Sequence, residues 1–220
     1  MTDTNLAEFN KKINFIKLLS NDTTYGVIWE GKYNNTESCI IKMIKLSSGT
    51  YKDSKIFDTN NEIPYLHKEF RDKKALKREN FFNEVNNIQL LSNLGISPTY
   101  YDYFISDKKY SVHYGFIVMK KMDCSLKDIF KKRGIDVRED NIIKAVINRM
   151  HNENKIIHGD MKPSNICVNL DEKGRIKECR LVDCNKLKTK GTLNDKKFTE
   201  LIKKDWDVYE KHKKRNRGHK

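Results

Sequence analysis

His158-Gly159-Asp160-Met161-Lys162-Pro163-Ser164-Asn165 is followed eighteen residues later by Asp183, which closes the strand-like run Cys179-Arg180-Leu181-Val182. These polar groups divide the work of moving a phosphoryl group: Asp160 can orient a hydroxyl nucleophile, Lys162 can neutralise charge on the phosphate in flight, and Asn165 with Asp183 can hold Mg2+. A tight turn at His-Gly-Asp with a polar loop behind it would need neither a lysine two residues after the aspartate nor an asparagine three further on. Downstream, Ile166-Cys167-Val168 reads as a short strand, Asp171-Glu172-Lys173-Gly174 as a turn and Cys179 to Val182 as the returning strand. Such a hairpin brings Asn165 and Asp183 to the same end of two paired strands.

The order H-x-D-x-K-x-x-N followed by an aspartate resembles the catalytic loop and metal-binding aspartate of the protein kinase superfamily. The resemblance implies an α+β, two-lobed protein-kinase-like fold: an antiparallel-sheet N-lobe with one helix over residues 1–119, a shortened and mainly helical C-lobe over 120–210, and a basic tail at 211–220. It also implies a lysine on the third strand, and Cys39-Ile40-Ile41-Lys42 fits the V-A-I-K pattern with Lys42 in that place. The partner glutamate belongs on a helix. Phe81, Val85, Ile88, Leu91 and Leu94 recur at spacings of three and four, with Glu84 beside that stripe. By the same resemblance Asp160 and Lys162 are catalytic, Asn165 and Asp183 hold Mg2+, and Gly26, Ile28, Ile40, Lys42, Glu84, Met119 and Cys167 bind ATP. Met119 stands at the entrance of the adenine pocket, Cys167 on its floor, and Lys120-Lys121-Met122 at the hinge.

The departures are as informative. Aligning Tyr25-Gly26-Val27-Ile28 with the end of the glycine-rich loop leaves Gly26 as its one glycine, with Asn21 and Thr23 at the other two places. Glycine lets backbone N–H groups approach phosphate without a Cβ in the way, so this loop is expected to close less tightly over ATP. Gly159 replaces the arginine that in the family pairs with a phosphorylated activation segment, so switching by phosphorylation there is not expected. The D-F-G triplet reads Asp183-Cys184-Asn185, with the asparagine expected to take the left-handed backbone angles of the glycine. No A-P-E follows. Phe198, Leu201, Ile202, Trp206 and Tyr209 have helical spacing and resemble the central C-lobe helix, with Asp205 or Asp207 in place of the aspartate that steadies the catalytic loop. The compact layout is similar to the small Bud32/PRPK-type kinases and to the shortened kinases of large DNA viruses.

What the resemblance implies is a protein serine/threonine kinase, since Lys162 is the residue that Ser/Thr-directed members carry. Two other readings stay open: a Bud32-like ATPase or kinase in a tRNA-modification assembly, and a nucleotide-binding pseudokinase acting as scaffold or decoy. Composition frames all three. Lys and Arg number 44 against 30 Asp and Glu, a net charge of +14, which favours acidic partners: a protein substrate, or an acidic or nucleic-acid partner at the basic tail. No apolar run approaches the roughly 18–20 residues that cross a bilayer, and the polar start is unlike a signal peptide, so an intracellular, cytoplasmic or nuclear protein without membrane attachment is expected. Five scattered cysteines with no C-x-x-C argue against a disulfide framework or zinc site; Cys39, Cys167 and Cys179 read as small strand hydrophobes. Residues 47–75, rich in Lys, Asp and Asn, are expected to be a surface insertion between the lysine strand and the glutamate helix.

Overall fold

The computed structural model of the chain describes residues 9, 11–21, 23–46, 73–105 and 113–217. The expected insertion lies outside the described residues up to position 72. The chain forms two compact units, Met1–Val85 with Tyr100–Lys121 and Asn86–Thr99 with Met122–Lys220.

Alternation of apolar and polar residues builds the first unit as an antiparallel sheet. Its elements are β1 (Ile13–Ser20), β2 (Gly26–Tyr33), β3 (Glu37–Leu46), the first part of helix α1 (Arg78–Asn93), β4 (Tyr100–Ile105) and β5 (His113–Lys120), with strand order β1-β2-β3-β5-β4. Period two sends Val27, Cys39, Ile41, Met43, Phe116 and Val118 to one face, where they pack with Phe9, Ile13, Phe104 and Tyr114. Phe9 anchors this core, its ring centroid 4.5 Å from those of both Phe104 and Phe116. The other face carries Lys42, registered between Ile28 and Ile117, and Ile40, registered between Glu30 and Met119.

The second unit is made of β6 (Cys124–Ser125), α2 (Leu126–Lys132), α3 (Val137–Asn148), β7 (Ile156–Ile157), β8 (Ile166–Leu170), β9 (Ile176–Leu181), β10 (Lys188–Thr189) and α4 (Asp195–Arg217). Both short helices begin where the sequence supplies a reciprocal cap, Ser125 with Asp128 for α2 and Asp136 with Glu139 for α3. Glu139 does more than cap. It is buried, takes two hydrogen bonds from Arg133 at 2.8 and 2.6 Å and a third from the Ile176 N–H at 2.8 Å, tying α2, α3 and β9 together. Burial opposes its charge, yet Arg133 and the two backbone donors hold its carboxyl down at about 2. Residues 86–99 belong with this unit because Asn87 Nδ2 donates to the Cys184 carbonyl (3.0 Å) and the Leu181 N–H to the Ile96 carbonyl (2.9 Å).

The architecture is the kinase-like α+β one expected, and the predicted β8–β9 hairpin and α1 stripe form as read. Among the described residues no helix is long and apolar enough to cross a membrane. All five cysteines are free thiols; Cys39 and Cys179 are buried in strands, whereas Cys167 is half-buried.

The basic segment at the end differs from a tail. Through Arg217 it continues α4, and Lys213 is buried there. The reason is a partner on α3: Lys213 Nζ donates to both oxygens of Asp140 (3.2 and 3.1 Å), and the Tyr209 hydroxyl donates to Oδ1 at 2.6 Å. Removing one member of a buried ion pair leaves the other charge uncompensated. Lys213→Met is therefore expected to destabilise the fold by about 3 kcal/mol, towards the lower end because Tyr209 and Lys144 remain on Asp140. Equilibrium denaturation checks this, with the exposed Lys214→Met staying within about 0.5 kcal/mol of the wild type.

Candidate active site

In the first unit the pleat of β3 and the turn of α1 bring Lys42 and Glu84 into contact, with Lys42 Nζ donating to Glu84 Oε1. Glu84 is only 1% exposed, and its Oε2 has no hydrogen-bond partner among the described residues. Burying a carboxylate without a partner is costly, and with Glu84 buried against Lys42 this pair is part of the interior rather than a solvated surface contact. Ile28, Ile40 and Met119 line the same sheet face as Lys42.

Gly26 has a different explanation from the expected one. A Cβ there would stand 1.8 Å from the Met43 carbonyl oxygen, so close approach of β2 to β3 requires glycine. Its N–H is already bonded to Thr23 Oγ1 at 3.0 Å, and the Thr23 hydroxyl donates back to the Gly26 carbonyl.

In the second unit, residues 158–165 fold on themselves. The Lys162 N–H donates to the Asp160 carbonyl and the Asn165 N–H to the Lys162 carbonyl, both at 2.8 Å, and Pro163–Asn165 form one 3-10 turn. Asn165 Nδ2 then reaches back to the Asp160 carbonyl (2.9 Å) and to its Oδ2 (3.2 Å), where Lys162 Nζ also sits at 3.0 Å. Oδ1 has the Lys186 ammonium at 3.8 Å and no closer cation among the described residues. One oxygen is thus held and the other has only the longer contact with Lys186 among the described residues.

The loop is fixed from beneath by Asp205 of α4. Its carboxylate accepts the N–H of His158 (3.0 Å), the N–H of Gly159 (3.1 Å) and the Nε2–H of His151 (3.1 Å). Of the two aspartates the sequence offered, Asp205 is the one at the loop; Asp207 is exposed. The sequence did carry the signal, since Asp205 falls on the stripe Phe198, Leu201, Tyr209 and Asp207 does not. His158 is buried and donates Nε2–H to the Val182 carbonyl at 3.0 Å; burial lowers its pKa against the opposing pull of Asp205, which keeps the ring neutral in that tautomer. The Val182 N–H bonds the Asn165 carbonyl at 2.9 Å, so Asp183 follows directly on a residue locked to the loop.

Two departures acquire physical meaning here. Gly159 lies at φ +76°, and a Cβ on it would approach the Lys186 carbonyl to 2.8 Å. A side chain is excluded because the segment after Asp183 packs there, with Lys188 and Thr189 paired to Ile157 and Ile156 and the Lys190 N–H on the Lys155 carbonyl (2.9 Å). Strand pairing therefore orders this segment without a phosphate. The left-handed residue of the Asp-Cys-Asn triplet is Asp183 itself, at φ +64°, and not Asn185 as expected. Asn185 instead donates Nδ2 to Asp183 Oδ1 at 2.9 Å, and Cys184 is fully buried. Aspartate tolerates this backbone region better than most residues.

The donor set suits a magnesium ion. Asn165 uses its amide nitrogen on Asp160, leaving its Oδ1 directed to a single contact with the Ser164 hydroxyl at 3.4 Å, and Asp183 adds a half-buried carboxylate. Magnesium takes one or two such oxygens and completes its shell with water and phosphate, so no cluster of three acidic or His/Cys ligands is needed; the described residues contain none. Cys167 sits on β8 in this unit, opposite Ser125 and Arg180.

The chain matches the Lipopolysaccharide kinase (Kdo/WaaP) family over residues 62–207. The match takes in Glu84, Met119, Asp160, Lys162, Asn165, Cys167, Asp183 and Asp205, and leaves Gly26, Ile28, Ile40 and Lys42 outside it. No curated protein matches the chain.

Burial alone would raise the pKa of Asp160, but the hydrogen bond and charge of Lys162, with Lys186 and Asn165, outweigh it and hold the carboxyl below its ordinary value. Proton acceptance at Asp160 would need the ionised form, so with Asp160 as the base the acid limb of an activity profile is expected below the usual aspartate range. Lys162→Met removes the main stabiliser of the charge, and the limb is expected to move to higher pH along with a fall in rate. A pH series of kcat/KM checks this; an unmoved limb would separate Lys162 from Asp160.

Proposed function

This chain belongs to the Lipopolysaccharide kinase (Kdo/WaaP) family and is a phosphotransferase by class, and we propose that it transfers the γ-phosphate of ATP, with Mg2+, to an aliphatic hydroxyl, in the first place that of a protein serine or threonine. The observation that carries this reading is the asymmetry at Asp160. Lys162 and Asn165 fix Oδ2, while Oδ1 is left for an incoming hydroxyl. A carboxylate oriented in this way accepts or directs the hydroxyl proton, and Lys162 offsets charge on the phosphoryl group as it passes. Asn165 and Asp183 would hold the ion, which neutralises phosphate charge when bound. Lys42, kept in place by Glu84, is the residue for the α- and β-phosphates.

A second acceptor is favoured by the family description, which names lipopolysaccharide: a sugar hydroxyl is an aliphatic alcohol like that of serine and can use the same aspartate. The pseudokinase reading has less support, because Lys42, Glu84, Asp160, Asn165 and Asp183 are all retained and the first two are already paired.

The test incubates the purified chain with γ-labelled ATP and Mg2+, offering serine/threonine peptides in one arm and neutral and acidic sugars in another. Wild type is expected to label a hydroxyl acceptor, and Asp160→Ala to do so about 10²–10⁴-fold more slowly. Label on sugars alone moves the function to the second acceptor. Label on neither, or equal labelling by Asp160→Ala, defeats the reading, and ATP hydrolysis stimulated by RNA would replace it with the Bud32-like one.

A further inference from the structure

A phosphate-binding loop usually works through free backbone amides beside glycines, and between β1 and β2 the one glycine amide is already bonded to Thr23. What fixes this loop comes from elsewhere in the sequence. From residue 73 the chain runs past the ends of β2 and β3: the Lys74 N–H donates to the Thr24 carbonyl (3.1 Å), the Leu76 N–H donates to the Lys45 carbonyl (2.8 Å), and Leu76 forms a parallel bridge with Leu46. At the head of that run, Lys73 donates its ammonium to the carbonyls of Asn21 and Thr23, the latter at 2.8 Å. The Lys45 N–H takes the Tyr25 carbonyl at 2.8 Å. Four consecutive loop residues, Thr23 to Gly26, thus each have a backbone group tied, and two of those ties come from Lys73 and Lys74.

We propose that Lys73 is a nucleotide-positioning residue: it braces the β1–β2 loop through Asn21 and Thr23 and supplies a positive charge and an N–H donor toward an ATP phosphate, beside a loop whose Cβ-bearing residues keep phosphate from coming as close to the backbone as glycines would. An ammonium has three N–H donors, and the two carbonyls use two of them. A lysine held by main-chain carbonyls is independent of loop side chains, which is why Asn and Thr can stand where glycines are usual. The inference rests on the ATP-dependent reading above and goes beyond it by assigning a residue to phosphate binding that the kinase pattern does not contain.

The test measures MgATP affinity of the full-length chain by calorimetry for wild type, Lys73→Ala and Lys73→Arg. Alongside it, hydrogen exchange of the Gly26, Lys45 and Lys74 amides is followed without nucleotide. Lys73→Ala is expected to weaken MgATP about tenfold, the effect of losing one charge-assisted hydrogen bond, and to raise KM for ATP with little change in kcat. Lys73→Arg should recover most of that affinity, and the three amides should exchange faster in the alanine variant. Wild-type affinity in Lys73→Ala, or an arginine variant as weak as alanine, overturns the role of Lys73 and leaves the ATP reading intact. A wild-type chain that binds no MgATP overturns the ATP reading and the positioning role with it. Unchanged exchange at all three amides removes the brace whatever the affinities are.

Discussion

The carboxylate of Asp205 accepts N–H groups from His158 and Gly159 and from the His151 ring, and the conformation of the candidate catalytic loop depends on that acceptance. Both amides are held by the one carboxylate, and the +76° φ of Gly159 turns the chain immediately after them, toward Asp160. With the bend set, Asp160 projects beside Lys162 and Asn165. The anchor would be useless on a loose helix, and α4 is not loose: Tyr209 and Lys213, one and two turns further along, bind Asp140 on α3. Stability of the C-terminal helix and geometry of the candidate active site are in this way one problem.

A second constraint concerns charge in the interior. Glu84, Glu139 and Asp140 are all buried carboxylates, and each is matched by a cation: Lys42, Arg133 and Lys213. Such pairs are a poor source of net stability, since desolvation offsets most of the attraction, but a misplaced partner is costly. Each pair links two elements, because a packing that parted it would strand a buried charge. The pair at Arg133 and Glu139 joins α2, α3 and β9; the pair at Lys42 and Glu84 joins β3 to α1.

The divergent positions make sense as substitutions of one physical device for another. Where kinases usually order the segment after the metal-binding aspartate with an arginine and a phosphate, this chain packs that segment against a glycine and pairs it as a strand with Ile156 and Ile157. Where they use glycine amides at the nucleotide loop, this chain has a threonine bonded to the loop's own glycine and a lysine on its carbonyls. The left-handed residue of the Asp-Cys-Asn turn is the metal-ligand candidate Asp183, whose Oδ1 accepts from Asn185 Nδ2.

Much of this was legible in residue order. The hairpin between Asn165 and Asp183, the helix bearing Glu84, the strand bearing Lys42 and the chemistry of the loop all rest on local periodicity and spacing, which depend on the dihedral preferences of a few neighbouring residues. Asp205 could have been chosen over Asp207 by the same periodicity. Other features had no local signature. That Gly26 serves packing against Met43, that Lys73 reaches back to Asn21 and Thr23, that Lys186 lies near Asp160, and that Lys213 in a run of basic residues is buried are consequences of contacts between distant segments. Sequence by itself determined which side chains could do phosphoryl-transfer chemistry, because residue type and spacing carry that information. Only the tertiary structure decided which of many identical lysines and glycines hold the site, because burial and pairing are set by where the chain folds back on itself.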